Sequence, residues 1–382
     1  MSAILITGAR APIALDLARS FEAAGHEVHL ADSITPWGAR LTRRTQGRLH
    51  RFAPPRFAFT RFAADLGALV DRLDARLVIP TCEEVFYVAE AAARRGFADR
   101  IFAPSPSVLK QLHSKVEFAG LARRAGVCAP VTSRLISKLD LAAWRERSSS
   151  LVFKPEFSRF ASHTLVRPAP HALDRLAPTP SHPWAVQEFV EGEEICVWSA
   201  ARAGEVVAFA AYRPRWRQGG SASFYFETDT DPKLLAMAQT IARAANATGH
   251  LSYDVIRAAD GTLAPIECNP RGVSGLHLFD ASPRLAQALL GETSIQLPEA
   301  MARHLGPAMW MLGAPQAVAA GRLGEFTTDL KRSRDVLAAA GPWAGMGALM
   351  DAARFAAIGL SRGRSASGQS TDDIEWNGEP IP

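Results

Sequence analysis

The residue types with the most chemical meaning lie around position 260. Asp254 stands in one apolar run, residues 251–258, and Glu267, Cys268, Asn269, Pro270 and Arg271 close the next, which begins at residue 263. The turn Ala259-Asp260-Gly261 separates them. Two strands joined by an Asp-Gly turn pair antiparallel, which brings Asp254 and Glu267 together across the pair. Glu267 and Asn269 are two residues apart and share one face of a strand, and Arg271 follows on that face by the same count. Two carboxylates and an amide oxygen are hard ligands, the set that Mg²⁺ takes together with waters and phosphate oxygens. Arg271 can offer a guanidinium to a transferring phosphoryl group. An acidic hairpin taken alone is an ordinary solvated edge. Glu267, however, sits inside the apolar run LAPIEC, where an unpaired acid is costly.

Two lysines precede this hairpin. Lys154 lies in the apolar run LVFKP, where a bare ammonium is costly unless it meets an anion, and Lys115 stands in the first turn of a helix that starts after Ser114. Both suit a phosphate, and a helix N-terminus adds its dipole. The loop after Lys154, EFSRFASHT, has no glycine, so Ser158, Ser162, backbone amides and Arg159 are its candidate phosphate ligands. A third signal is Gln187-Glu188-Phe189-Val190-Glu191-Gly192-Glu193-Glu194, a strand that exits into an acidic turn. Backbone groups at such an edge can read an adenine, and an acid beyond it can bond ribose hydroxyls. An acidic hairpin turn of no function is the plainer reading of this stretch by itself.

These side chains need elements to hold them. Apolar runs at 3–7, 28–31, 77–80 and 101–103 alternate with helical patterns, which predicts a small Rossmann-like parallel domain over residues 1–105. Its dinucleotide fingerprint is poor: Gly8-Ala9-Arg10-Ala11-Pro12 places Arg10 where a second glycine would let a pyrophosphate approach, although Asp32 could still meet a ribose. Residues 106–295 read as a mostly antiparallel domain with its own helices: strands at 151–155, 184–190, 195–201, 205–212, 251–258 and 263–268, and a long helix ending at Gly249. Residues 296–382 form an extension with one helical stretch, 343–360, that packs on the body in preference to a membrane surface, and a polar tail expected to be mobile.

Composition narrows the function classes. The net charge is +5, and only six of the 43 basic residues are lysine, with no basic run interleaved with aromatics, so nucleic acid is not an expected partner. Cys82, Cys128, Cys196 and Cys268 form neither a C-x-x-C pair nor a disulfide framework. The N-terminus has no signal-peptide pattern and no stretch is long enough to span a membrane, which makes the cytoplasm the expected compartment.

The order helix Lys115, strand Lys154, hinge QEFVEGEE, Asp254 and E-x-N-P-R resembles the ATP-grasp superfamily, in particular its carboxylate–amine ligase branch related to carbamoyl phosphate synthase. The resemblance covers roughly residues 1–290. It implies a Rossmann-like preceding domain and a two-lobed grasp, α/β and α+β, followed by a helical extension. It implies ATP and Mg²⁺, or Mn²⁺, as cofactors. Lys115 and Lys154 would bind phosphates, the backbone of Glu188, Phe189 and Val190 adenine, Glu194 ribose, and Asp254, Glu267 and Asn269 metal. The implied reaction activates a carboxylate as an acyl phosphate and passes it to an amine, releasing ADP and phosphate. Arg213, Arg215 and Arg217, at alternating positions after a strand, could hold an acidic substrate or could form a plain solvated basic loop. Glu83 could meet an amine or cap the helix behind it. A non-amine acceptor, an ATP-binding regulator without turnover, an NAD-dependent enzyme and a homo-oligomer stay open.

Overall fold

The computed structural model describes residues 2–42, 48–158, 163–217 and 223–382. Strands β1 (Ala3–Thr7), β2 (Glu27–Asp32), β3 (Leu49–Arg51) and β4 (Ala75–Pro80) form a parallel sheet in the order β3-β2-β1-β4. Ile4 and Ile6 of β1 pack with helix α1 (Pro12–Ala23) on one face, while Leu5 meets α3 (Phe59–Leu73) and α4 (Val85–Arg95) on the other. Burial on both faces is why β1 reads as an unbroken apolar run. The short helix α2 (Trp37–Arg40) follows β2. The apolar run at 101–103 gives only a single bridge, Val78 to Ile101, because Pro104 and Pro106 follow and cannot donate to a ladder. In this sheet the strand not read from the sequence is β3, whose sequence LHR carries one apolar residue.

Helices α5 (Pro106–His113) and α6 (Lys115–Arg124) lead into a small antiparallel sheet of β5 (Thr132–Leu135), β6 (Leu151–Pro155), β7 (Leu165–Val166) and β8 (Trp184–Glu188), with α7 (Lys138–Ala142) beside it. Its order is β5-β8-β6-β7. The third sheet contains β9 (Glu193–Arg202), β10 (Glu205–Arg217), β11 (Ser223–Asp229), β12 (Gly249–Arg257), β13 (Leu263–Asn269), β14 (Ala302–His304) and β15 (Arg334–Asp335), in the order β13-β12-β9-β10-β11-β14-β15. On one face Val197, Leu251, Tyr253 and Val255 bury Leu234, Ala238 and Ile241 of α8 (Pro232–Ala244). On the other, Trp198, Ala200, Ala208, Ala210 and Tyr212 share one core with α1, with α9 (Pro283–Leu290) and with Ile4 and Ile6 of the parallel sheet. That common core brings the loop after β4 beside the end of β13.

The polar tail does not stand free. Ile374 is 2% exposed and Trp376 6%, and Trp376 stacks on Phe86 and meets His113 and Phe157. The Tyr87 hydroxyl donates to the Glu375 carbonyl, and Asp373 takes hydrogen bonds from Arg10. The few apolar side chains of a polar segment are enough to dock it when an aromatic cleft awaits them. The helical stretch expected at 343–360 runs from Pro342 to Ser361 and lies on α2, so close that a Cβ on Gly347 would sit 2.4 Å from the Trp37 carbonyl oxygen. Among the described residues no helix is long and apolar enough to cross a membrane.

Candidate active site

Asp254 and Glu267 are register partners across β12 and β13, with a bulge directly after Asp254. Ser252 faces Asn269 in the same ladder. The Asn269 amide nitrogen donates to Glu267 Oε1 at 3.2 Å, which turns the amide oxygen away from that carboxylate. The three expected metal ligands therefore meet at one strand pair.

The two lysines arrive from different elements and converge on Glu267. Lys115 Nζ is 3.6 Å and Lys154 Nζ 3.9 Å from Glu267 Oε2. Both lysines are buried. Ser114 caps α6 by accepting from the Glu117 amide, and Glu156, fully buried, accepts from the Ser114 hydroxyl and from Arg134 Nε at 2.6 Å. This ties the start of α6 to the end of β6. Lys115 Nζ also donates to the Ser158 carbonyl at 2.9 Å, and Lys154 Nζ to the Ile266 carbonyl at 3.1 Å. Burial alone would raise the Glu267 carboxyl, but Lys115 and Lys154 outweigh it and hold the group below its usual range. Burial lowers the Lys154 ammonium to about 8 against the pull of Glu267.

Asp254 has the opposite surroundings. Burial first, then the charges of Glu267 and Glu194, push its carboxyl up to about 7. Acceptor atoms of Glu194, Cys196 and Asp254 lie within 4.8 Å of one another. An acid crowded by acids, with Asn269 beside it, is a donor set that fits a divalent cation next to Asp254.

The hinge gives its backbone partly to the small sheet. The Glu188 amide donates to the Val131 carbonyl at 3.0 Å and the Phe189 amide to the Ser150 carbonyl at 3.1 Å. Among the described residues the Val190 amide meets no acceptor. Gly192 lets the turn pass the next strand: a Cβ there would lie 2.2 Å from the Arg257 carbonyl oxygen. Glu194, the expected ribose ligand, pairs with Arg217 at 2.8 Å.

Arg217 reaches this side of the sheet, and Arg213 and Arg215 do not. Tyr212 is the register partner of Cys196, so strand alternation turns Arg213 and Arg215 to the opposite face. There Arg213 lies near Asp229 at 3.8 Å, and Arg215 meets Asp329 at 3.1 Å and Glu325 at 3.4 Å. Trp216 takes a left-handed conformation, φ 51°, which breaks the alternation and returns Arg217 to Glu194. Sequence spacing, which put the three arginines on one side, cannot show such a break.

Arg271 Nε donates to Glu83 Oε1 at 2.6 Å, so the acid expected to meet an amine or cap a helix instead holds the guanidinium expected at the phosphate. Arg10 is bound through its backbone amide and side chain to Asp32, and through its guanidinium to Asp373. This occupies the acid that could have met a ribose and fills the place of the missing glycine. The Ser158 hydroxyl donates to the Pro155 carbonyl at 3.1 Å rather than pointing outward, while Arg159 and Ser162 lie outside the described residues. Two positioning residues escaped the sequence reading. The signal for Glu156 was an acid directly after an apolar strand. Gln187, which donates to Thr132 Oγ1 and to the Ile266 carbonyl, had none.

No family model matches the sequence, and no curated protein matches it. Solved structures do. A crystal structure of L-amino acid ligase from Bacillus licheniformis is 14% identical with a TM-score of 0.55, covering 77% of this chain and 76% of that one. Phosphoribosylamine–glycine ligase from Thermotoga maritima is 14% identical with a TM-score of 0.59, covering 78% and 77%. N5-carboxyaminoimidazole synthetase from Staphylococcus aureus is 11% identical with a TM-score of 0.60, covering 82% and 85%. The likeness shows the fold: this chain shares the architecture of these three ligase structures.

Proposed function

We propose that the protein is an ATP-dependent ligase that activates a carboxylate as an acyl phosphate and joins it to an amine, releasing ADP and phosphate. The observation that carries this reading is the convergence of two buried lysines on Glu267 in the same strand pair as Asp254 and Asn269. Cations for phosphate oxygens and oxygen ligands for a metal are thereby brought to one place. Structures of the same fold include a biotin carboxylase described as a complex with a β,γ-ATP ligand and an N5-carboxyaminoimidazole synthase with ADP and an aminoimidazole ribonucleotide, which supports a nucleotide here.

In this reading Lys115 and Lys154 exchange Glu267 for phosphate oxygens, the Val190 amide donates to the adenine edge, and Glu194 leaves Arg217 for the ribose. Asp254, Glu267 and Asn269 would hold Mg²⁺, which when bound neutralises charge on the phosphates. A substrate carboxylate oxygen attacks the γ-phosphorus. The new P–O bond forms as the bond to ADP breaks, and Arg271 faces the charge that spreads on the transferring group. An amine nitrogen then attacks the acyl carbon. Phosphate leaves with the bonding pair, and the amine proton passes to it or to solvent. No side chain becomes covalent, so positioning and electrostatics do the work. Incubation with ATP, Mg²⁺ and pooled carboxylic acids and amines, read by mass spectrometry, should give ADP together with one amide. ATP binding with no product from any pool would leave a nucleotide-binding protein without turnover.

A further inference from the structure

The helix Pro342–Ser361 has one side on the body and one side bare. Trp343 is 59% exposed, Met346 51%, Met350 40% and Leu360 83%, and Ala353 and Ala357 are exposed as well. These six positions alternate in steps of three and four residues, the spacing of a coiled-coil seam. From Trp343 to Leu360 the stripe runs about 26 Å along the helix. Its buried side is occupied: Gly347 abuts the Trp37 carbonyl, and Asp351 accepts from the Gly38 amide.

We infer that this stripe is the contact between two copies of the chain, paired as antiparallel helices about a dyad between Asp351 and Ala352. The stripe complements itself only in that sense. Its first half is bulky, Trp343, Met346 and Met350, and its second half holds the small Ala353 and Ala357 before Leu360. An antiparallel pair sets Met350 against Ala353, Met346 against Ala357 and Trp343 against Leu360. Large side chains then fill the space left by small ones, as an isologous interface requires. A parallel pair would set Trp343 on Trp343 and leave the alanines facing each other across a gap.

Charge argues for a second copy over a lipid surface. Helices that lie on membranes carry Lys and Arg along the polar face. Here the helix holds one basic residue, Arg354, directed at the Thr35 carbonyl, and the two that follow, Arg362 and Arg364, pair with Asp372. Area is adequate too. Trp310 and Met311 are 64% and 60% exposed on the segment whose Pro307 abuts Gly345. With them the exposed apolar surface is on the order of several hundred Å², the scale of the ~800 Å² per partner in stable interfaces.

The test is light scattering on the full chain during size exclusion, over a wide concentration range. A dimer is expected, and Met346→Lys/Met350→Lys should be monomeric with unchanged far-UV circular dichroism. In a Cys128→Ser background, Met350→Cys/Ala353→Cys should oxidise to a covalent dimer, while Met346→Cys alone should not. A monomeric wild type, a dimer that survives both lysines, linkage through Met346→Cys, or sedimentation of the wild type with anionic lipid vesicles would each overturn the inference.

Discussion

Glu83 and Arg271 form an ion pair, 2.6 Å from Oε1 to Nε, with side chains 4% and 17% exposed. Glu83 stands after the last strand of the parallel sheet, and Arg271 stands two residues after Asn269. One contact thus joins the carboxyl edge of the first sheet, where open sheets of this kind receive ligands, to the strand end that carries the proposed metal ligands. It holds the guanidinium from outside the antiparallel sheet.

This pair should matter to stability. Removing one partner of a buried pair leaves the other charge without compensation, at a cost of about 3 kcal/mol. Glu83→Gln should therefore lower the unfolding free energy by an amount of that order, read as a lower urea midpoint at unchanged m. A midpoint equal to that of the wild type would show that Arg271 finds another acceptor at no cost.

The lysine convergence predicts a split between two variants. Mg-ATP should raise the melting temperature by mass action on the native state. Lys154→Ala should remove most of that rise. Glu267→Gln should abolish ADP formation while the circular dichroism spectrum stays native, because the change keeps the shape of the side chain and removes the charge that faces both lysines and the metal. Equal ATP stabilisation of wild type and Lys154→Ala would take that lysine out of the phosphate site.

Much of this was legible because backbone geometry translates spacing into contact. The pairing of Asp254 with Glu267 follows from a short turn between two apolar runs, and the cap at Ser114 follows from its place before a helical pattern. What spacing could not show is whatever depends on a side chain from a distant part of the chain. The engagement of Arg10 by Asp373 and the docking of Trp376 against Phe86 and Phe157 join residues hundreds of positions apart. A polar tail that docks through a few side chains looks the same in sequence as one that does not. The left-handed Trp216 is a third such case, since nothing in YRPRWR marks where the strand breaks its alternation.

His250 gives a pH dependence with a defined sign. Both ring nitrogens are buried without a partner, between Phe102 and Trp198, and burial lowers the imidazole from 6.5 to about 3. The unfolded chain therefore binds a proton below about pH 6.5 that the folded chain refuses. Stability is fully present above that pH and falls as the pH drops from about 6.5 toward 3. At pH 5 the loss from this one group is about 2 kcal/mol. Urea midpoints at pH 7 and pH 5 should differ by more in the wild type than in His250→Phe, which keeps the ring and removes the proton. Parallel pH profiles for the two proteins would mean that His250 gains an acceptor or water in the folded state.

The last prediction concerns which phosphate is transferred. Lys115 and Lys154 meet at Glu267, Asn269 is held by the same carboxylate, and Arg271 follows within two residues. Positive charge and the proposed metal ligands thus gather around Glu267, and in the proposed reading the base is taken by the hinge with its Val190 amide. A nucleotide bound with its base at the hinge places its terminal phosphates among the lysines. The bond best stabilised on breaking is then the one between the β- and γ-phosphates, because charge develops where the donors already stand. The products should be ADP and inorganic phosphate, and hydroxylamine should trap a hydroxamate only when ATP and the cognate acid are both present. AMP and pyrophosphate as products would place the reacting phosphorus at the α-position, away from the lysines, and would refute the acyl-phosphate mechanism while leaving the fold as it is.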